Sequence, residues 1–108
     1  MSFVKVVKEG EIQPGEMKSF NIEGKDILVV NYEGGYYAID NKCPHMSADL
    51  SKGRLEGKIV TCPRHKSQFD ITTGKCVAAP KIGFLRLKTK DTANYKVKVE
   101  NGSIEVEM

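Results

Sequence analysis

The stretch CPHMSADLSKGRLEGKIVTCPRH, from Cys43 to His65, decides how the rest of the chain is read. It opens with Cys43-Pro44-His45 and closes with Cys62-Pro63-Arg64-His65. Sixteen residues lie between His45 and Cys62. Both histidines of the chain fall inside it, each just downstream of a cysteine, and the third cysteine, Cys76, falls outside. A single Cys is usually a small buried hydrophobe. Two short, similar half-sites that pair thiol with imidazole bring together the donors that soft and borderline metals prefer.

Two metals fit that donor set. Zinc accepts two thiolates and two imidazoles, but its common pattern puts cysteines in one half-site and histidines in the other. Here each half-site mixes them, as C-x-H and then C-x-x-H. A mixed hairpin can send both cysteines to one atom and both histidines to another, which suits a two-iron cluster whose irons are unequal.

Outward from this stretch the chain reads as strands. Phe3 to Val7 alternates loosely and suits an edge strand, and Met17 to Ile22 alternates with one slip. Lys25 to Tyr32 contains Ile27-Leu28-Val29-Val30, a β-branched run that suits a strand buried on both faces. Turns are expected at Glu23-Gly24, Glu33-Gly34-Gly35 and Asn101-Gly102, and Tyr36 to Ile39 follows as a partner strand. Gly83 to Lys88 alternates. Tyr95, Val97 and Val99 are expected to face inward, with Lys96, Lys98 and Glu100 outward, and Ser103 to Glu107 completes the last hairpin. Between Asp40 and Pro80 the chain is rich in Pro and Gly, with short strand candidates at Lys58–Thr61 and Ser67–Ile71. A segment so poor in apolar periodicity is expected to need a metal to hold it together. Short strands spaced by turns indicate an antiparallel all-β domain, with the loop-rich part inserted.

Composition narrows the function. At 108 residues the chain is one domain. Net charge is +3 from 17 basic and 14 acidic residues, which is too small and too dispersed an excess for a nucleic-acid partner. No run is long enough for a membrane span or a secretory signal, so the expected location is cytoplasmic, where metal ligation is a better use of cysteine than a disulfide. No phosphate loop appears, and no histidine remains for a Ser/His/Asp set. Lys81, Arg86, Lys88, Lys90, Lys96 and Lys98 suit solvated strand faces or a docking patch for an acidic partner.

The chain resembles the Rieske-type ferredoxins over nearly its whole length. The resemblance rests on Cys43-Pro44-His45, on Leu50, Gly53, Leu55, Glu56 and Gly57, on Cys62-Pro63-Arg64-His65, and on Phe69-Asp70, Thr73-Gly74 and Pro80. It implies a Rieske-like antiparallel β-sandwich spanning residues 1–108, with a cluster-binding subdomain at about 41–81. It implies one [2Fe–2S] cluster, with Cys43 and Cys62 on the inner iron, His45 and His65 on the outer iron, and Pro80 in a covering loop. The implied role is a one-electron carrier without catalysis of its own, linking a flavin-type reductase to a terminal oxygenase or another redox enzyme. A redox sensor and a zinc-stabilised binding module are the alternatives. Three departures bear on potential. Lys66 stands where the family usually has Gly. Ala48 and Arg64 stand near where the high-potential branch has its disulfide. Ser67 matches that branch's Ser, but Phe69 replaces its Tyr and has no hydroxyl.

Overall fold

The computed structural model describes residues 2–44, 48–64, 66–78, 81–82, 85–86 and 91–108. In chain order the strands are β1 (Phe3–Lys8), β2 (Met17–Ile22), β3 (Lys25–Tyr32), β4 (Gly35–Asp40), β5 (Arg54–Glu56), β6 (Ile59–Thr61), β7 (Gln68–Asp70), β8 (Cys76–Ala78), β9 (Lys81–Ile82), β10 (Leu85–Arg86), β11 (Asn94–Tyr95), β12 (Val97–Glu100) and β13 (Ser103–Glu107). Among the described residues all pairings are antiparallel. Three larger sheets result, in the orders β1-β13-β12, β11-β4-β3-β2 and β5-β6-β7-β8, and β9 pairs with β10. The fold is the expected antiparallel β architecture, and β1 is an edge strand.

The expected turns form tight hairpins. Glu23, Glu33 and Asn101 have φ of 51°, 49° and 51°, and each precedes a glycine that is also at positive φ. These are the backbone angles of the hairpin turn whose twist matches its flanking strands. They set the register in which Ile22 faces Lys25, Tyr32 faces Gly35 and Glu100 faces Ser103.

β3 is buried on both faces because it serves two cores. Ile27 and Val29 join Ala38 of β4 and Ile104 and Val106 of β13 in one core, with Ile12 and Ile22. Leu28 and Val30 point the other way and join Ile39, Cys43, Leu50, Val60, Cys62, Phe69 and Ile71. Successive side chains of a strand alternate between faces, so one run fills both cores. Burying such a side chain contributes about 1.5–3 kcal/mol. Tyr36 and Tyr37 divide in the same way: Tyr36 packs on the first core, Tyr37 on the second. The Tyr36 hydroxyl also donates to the Glu9 carbonyl at 2.7 Å.

Two expectations are corrected. The middle of the chain holds a four-stranded sheet of its own, including β5 and β8, which alternation did not single out. Its apolar residues are few, but Leu50, Val60 and Phe69 are each 0% exposed. They are spaced by loop geometry rather than by a strand period, so no periodic pattern announces them. Val99 does not face inward, being 43% exposed. In β13, by contrast, Ile104, Glu105 and Val106 are all buried, and Glu105 lies opposite Lys5 on one neighbour and Lys98 on the other. The expected alternation over Gly83–Lys88 falls largely outside the described residues, as do Lys90 and Pro80. Among the described residues no helix is long and apolar enough to cross a membrane.

Ile27→Ala and Leu28→Ala act on different cores and are each expected to cost about 2–5 kcal/mol. Val99→Ala should stay within about 0.5 kcal/mol, as for exposed positions. Urea denaturation followed by far-ultraviolet circular dichroism checks all three, and a cost below about 1 kcal/mol at either β3 position contradicts the two-core description.

Candidate metal centre

Two loops carry the cysteines, and they are built alike. The Cys43 N–H donates to the Ala48 carbonyl at 2.8 Å, and the Cys62 N–H donates to the Ser67 carbonyl at 2.7 Å. Each loop is thus closed on itself by one bond from the cysteine to the residue five positions on. The Cys62 loop is the connection of the β6–β7 hairpin, whose last pair is Thr61 with Gln68. The Gln68 side-chain amide donates to the Thr61 hydroxyl at 3.2 Å across the loop's base. The Cys43 loop follows β4 and is clamped by Asn41. Asn41 is 2% exposed. Its backbone carbonyl accepts from Leu50 N–H at 2.7 Å, and its side-chain carbonyl accepts from Ser51 N–H at 2.9 Å. Lys42 pairs with Asp49 across the same neck.

Gly53 brings the two loops together. A Cβ at this position would stand 1.9 Å from the Thr61 carbonyl oxygen, so only a residue without a side chain lets the exit of one loop touch the entry to the other. The other end of the small sheet is tied to the base through Thr92, which is buried. The Thr92 N–H donates to the Gly74 carbonyl at 2.7 Å. Nearby, the Asp91 carboxylate accepts from the Cys76 N–H at 2.8 Å.

Cys43 and Cys62 are 1% and 0% exposed. Burial pushes the Cys62 thiol up to about 11, and the neighbouring Cys43 side chain adds to the rise, against the opposing pull of the Arg64 backbone N–H and the Arg64 charge. A thiol raised in this way does not ionise near neutral pH without a cation to hold the charge. A metal supplies that charge, and its binding displaces the protons. Beside them Ser67 is 0% exposed, and its hydroxyl has no hydrogen-bond partner among the described residues. A buried hydroxyl without a partner costs about 1–3 kcal/mol, and a sulfur-rich anionic group between the loops gives it an acceptor. The donors and the orphaned hydroxyl therefore fit an iron–sulfur cluster.

Lys66 adopts φ +62°, a left-handed conformation that costs a side chain about 1–2 kcal/mol. The turn forms with Lys in place as it would with Gly. Phe69 is wholly buried in the core that includes both cysteines. It offers packing and no hydroxyl. His45, His65 and Pro80 lie outside the described residues. Asn41, Gly53 and Thr92 are the positioning residues that the motif did not disclose as such. Of these, Gly53 stood within the family pattern, whereas Asn41 and Thr92 left no local signal, since a buried polar residue looks like a loop residue until its partners are known.

A β fold that holds two buried cysteines in matched loops, with a buried hydroxyl that has no partner among the described residues, fits an iron–sulfur protein. Comparison with known proteins agrees. The Rieske [2Fe-2S] domain family matches residues 2–92. The ferredoxin component of the naphthalene 1,2-dioxygenase system of Pseudomonas putida is 34% identical over 108 residues, covering 100% of this chain and 97% of that protein. The solved ferredoxin of carbazole 1,9a-dioxygenase from Nocardioides aromaticivorans IC177 superposes with a TM-score of 0.77 at 30% identity, covering 98% of this chain and 97% of that one. A chain from the complex of reduced oxygenase and oxidised ferredoxin in carbazole 1,9a-dioxygenase gives a TM-score of 0.84 at 28% identity, covering 96% of this chain and 100% of that one. The chain belongs to the Rieske [2Fe–2S] family. Its cofactor is one [2Fe–2S] cluster, and it is an electron carrier rather than a catalyst.

Gly53→Ala is expected to force the two loops apart and to cost more than about 2 kcal/mol, at the upper side of overpacking effects. Gly10→Ala, where a Cβ meets nothing within 4 Å, is the control. Denaturation midpoints and visible absorbance per mole of protein report the outcome; equal values for the two variants refute the close-approach role.

Proposed function

We propose that this protein takes electrons one at a time from a flavin-type reductase and passes them to a terminal oxygenase, with Cys43, His45, Cys62 and His65 as the cluster ligands. The observation that carries the ligand assignment is the pair of buried, adjacent cysteines in loops of matching closure. The chain's two histidines occupy the same two loops, two and three residues after the cysteines. The partner assignment is supported by relatives named as ferredoxin components of dioxygenase systems and by a structural neighbour solved as a complex of oxygenase and ferredoxin. Residues 41–81 act as the cluster-binding subdomain of a single domain, a division supported by the separate sheet β5-β6-β7-β8. The cytoplasm is the compartment of this reading, because thiols stay reduced there and remain available to iron.

The bound cluster supplies a site that accepts and releases one electron. The chain's own groups decide how it does so. Cys43 and Cys62 anchor it on the buried side and keep water out, since both sulfurs belong to the apolar core. The Arg64 backbone N–H and the Arg64 charge favour the Cys62 thiolate and so stabilise negative charge there. Ser67 offers one more donor. Hydrogen bonds to cluster sulfur favour the reduced, more negative state and raise the potential. Without a tyrosyl hydroxyl at position 69 and without a disulfide between the loops, the potential belongs near the low end of the family range of about −150 to +300 mV.

Iron and acid-labile sulfide should be present in roughly equal amounts, and His45→Ala or His65→Ala should lose or weaken the cluster. Stoichiometric zinc with no sulfide in protein made with ample iron favours the binding-module reading instead. Stopped-flow mixing with a flavin reductase should bleach the visible spectrum, and an oxygenase should restore it. A protein that no reductase reduces, yet whose cluster state governs binding to a regulator, is a sensor.

Ser67→Ala should lower the potential and Phe69→Tyr should raise it. A hydrogen bond to a charged group is worth about 1.5–3 kcal/mol, which at ~59 mV per tenfold change for one electron is on the order of 60–130 mV. Voltammetry measures both, and an unchanged potential in Ser67→Ala removes Ser67 from the tuning set.

A further inference from the structure

The two cysteine loops share their closure but not their charge. Residues 43–48 are Cys, Pro, His, Met, Ser and Ala, whereas residues 62–67 are Cys, Pro, Arg, His, Lys and Ser. Arg64 and Lys66 thus flank His65 on either side. Both are exposed, and neither forms an ion pair among the described residues. Nearby cations are engaged with carboxylates: Lys52 lies 3.7 Å from Asp49, and Arg54 lies 3.5 Å from Glu56. Lys66 lines an open groove of about 490 Å³ together with Lys52 and Arg54, and Glu56 is the one carboxylate among the described lining residues.

The backbone adds a second reason to regard Lys66 as selected for its charge. Glu23, Glu33 and Asn101, the other non-glycine residues at positive φ among those described, all precede a glycine in a hairpin turn. Lys66 precedes Ser67, not a glycine, and lies in the longer connection between β6 and β7. It holds a left-handed conformation in the loop that carries two proposed ligands, directly after His65.

We propose that Arg64 and Lys66 form a cationic docking pair that seats an acidic face of the electron-donating reductase against the Cys62 loop. This rests on the electron-carrier reading above. The choice of donor over acceptor follows from charge. One electron passes from reduced flavin to the cluster, no bond forms or breaks, and the carrier becomes one charge more negative. An acidic surface therefore binds the oxidised carrier more tightly than the reduced one, and reduction loosens the complex. By reciprocity the acidic partner lowers the carrier's potential when bound. That is the behaviour of a partner that loads the carrier and lets it go. Residues 43–48 of the Cys43 loop contain no Lys or Arg and give no such bias.

The test uses the full-length, cluster-loaded protein and its Arg64→Gln, Lys66→Gln and doubly substituted variants, with Lys66→Gly as a control that relieves the backbone strain. The first probes are small reductants of opposite charge: the radical anion supplied by dithionite, and reduced methyl viologen, a cation. At low salt the double variant should react about two- to fivefold more slowly with the anion and faster with the cation. Both differences should vanish near 1 M salt, where screening falls to about 3 Å. A folding defect would shift both rates in one direction. Lys66→Gly should behave as Lys66→Gln. The second measurement is affinity for a flavin reductase. The oxidised wild type should bind more tightly than the reduced form, and the double variant should lose that difference. Equal rates with both small reductants in all variants overturn the docking pair. So does a loss of affinity confined to the oxygenase. Failure of either reductant to reduce the wild type overturns the carrier reading itself.

Discussion

The structure depends on β3 belonging to two cores at once. Ile27 and Val29 bind the three-stranded sheet to the four-stranded one, and Leu28 and Val30 bind that same sheet to the cluster-bearing layer. A strand has only two faces, so β3 and β4 can serve both layers only if polar residues are kept from the middle of each. Asn31, at the end of the run, is buried but donates its side-chain amide to the Ile12 carbonyl at 2.8 Å. The shared sheet makes the position of the cysteine loops a consequence of the main core. A shift in β3 would move Leu28 and Val30 against Cys43 and Cys62.

The site itself sets rigidity against charge. Cys43 and Cys62 are held by backbone bonds, a glycine contact and a buried asparagine. The chemistry of the sulfurs needs a metal. Burial makes the Cys62 thiol resist ionisation, and the buried Ser67 hydroxyl lacks a partner among the described residues. What the bound group relieves at the sulfurs is electrostatic. Single-electron transfer benefits from such stiffness, because less of the surroundings must rearrange when the charge changes.

Much of this was legible in the residues. The pairing of Cys43-Pro44-His45 with Cys62-Pro63-Arg64-His65 identifies the donors, because thiol and imidazole are rare and their spacing is specific. The hairpin turns at Glu23-Gly24, Glu33-Gly34 and Asn101-Gly102 are local, since positive φ is a property of the residue and its neighbour. The β5-β6-β7-β8 sheet was less legible. Its three-residue strands are too short to show a period, and burial at Leu50 and Phe69 comes from partners distant in sequence. Val99 misled for a related reason: alternation gives two faces, but not which of them a neighbouring sheet will cover.

The sequence by itself determined the donor set, the hairpin turns, the all-β class and the absence of a hydroxyl at position 69, because each depends on residue identity or on adjacent residues. Tertiary structure alone decided that one strand feeds two cores and that Gly53 meets Thr61. It also decided that Asn41 and Thr92 are buried clamps, that the buried Ser67 hydroxyl has no partner among the described residues, and that Arg64 and Lys66 stand exposed and form no ion pair among them. These facts depend on distances between residues far apart along the chain, which no local pattern encodes.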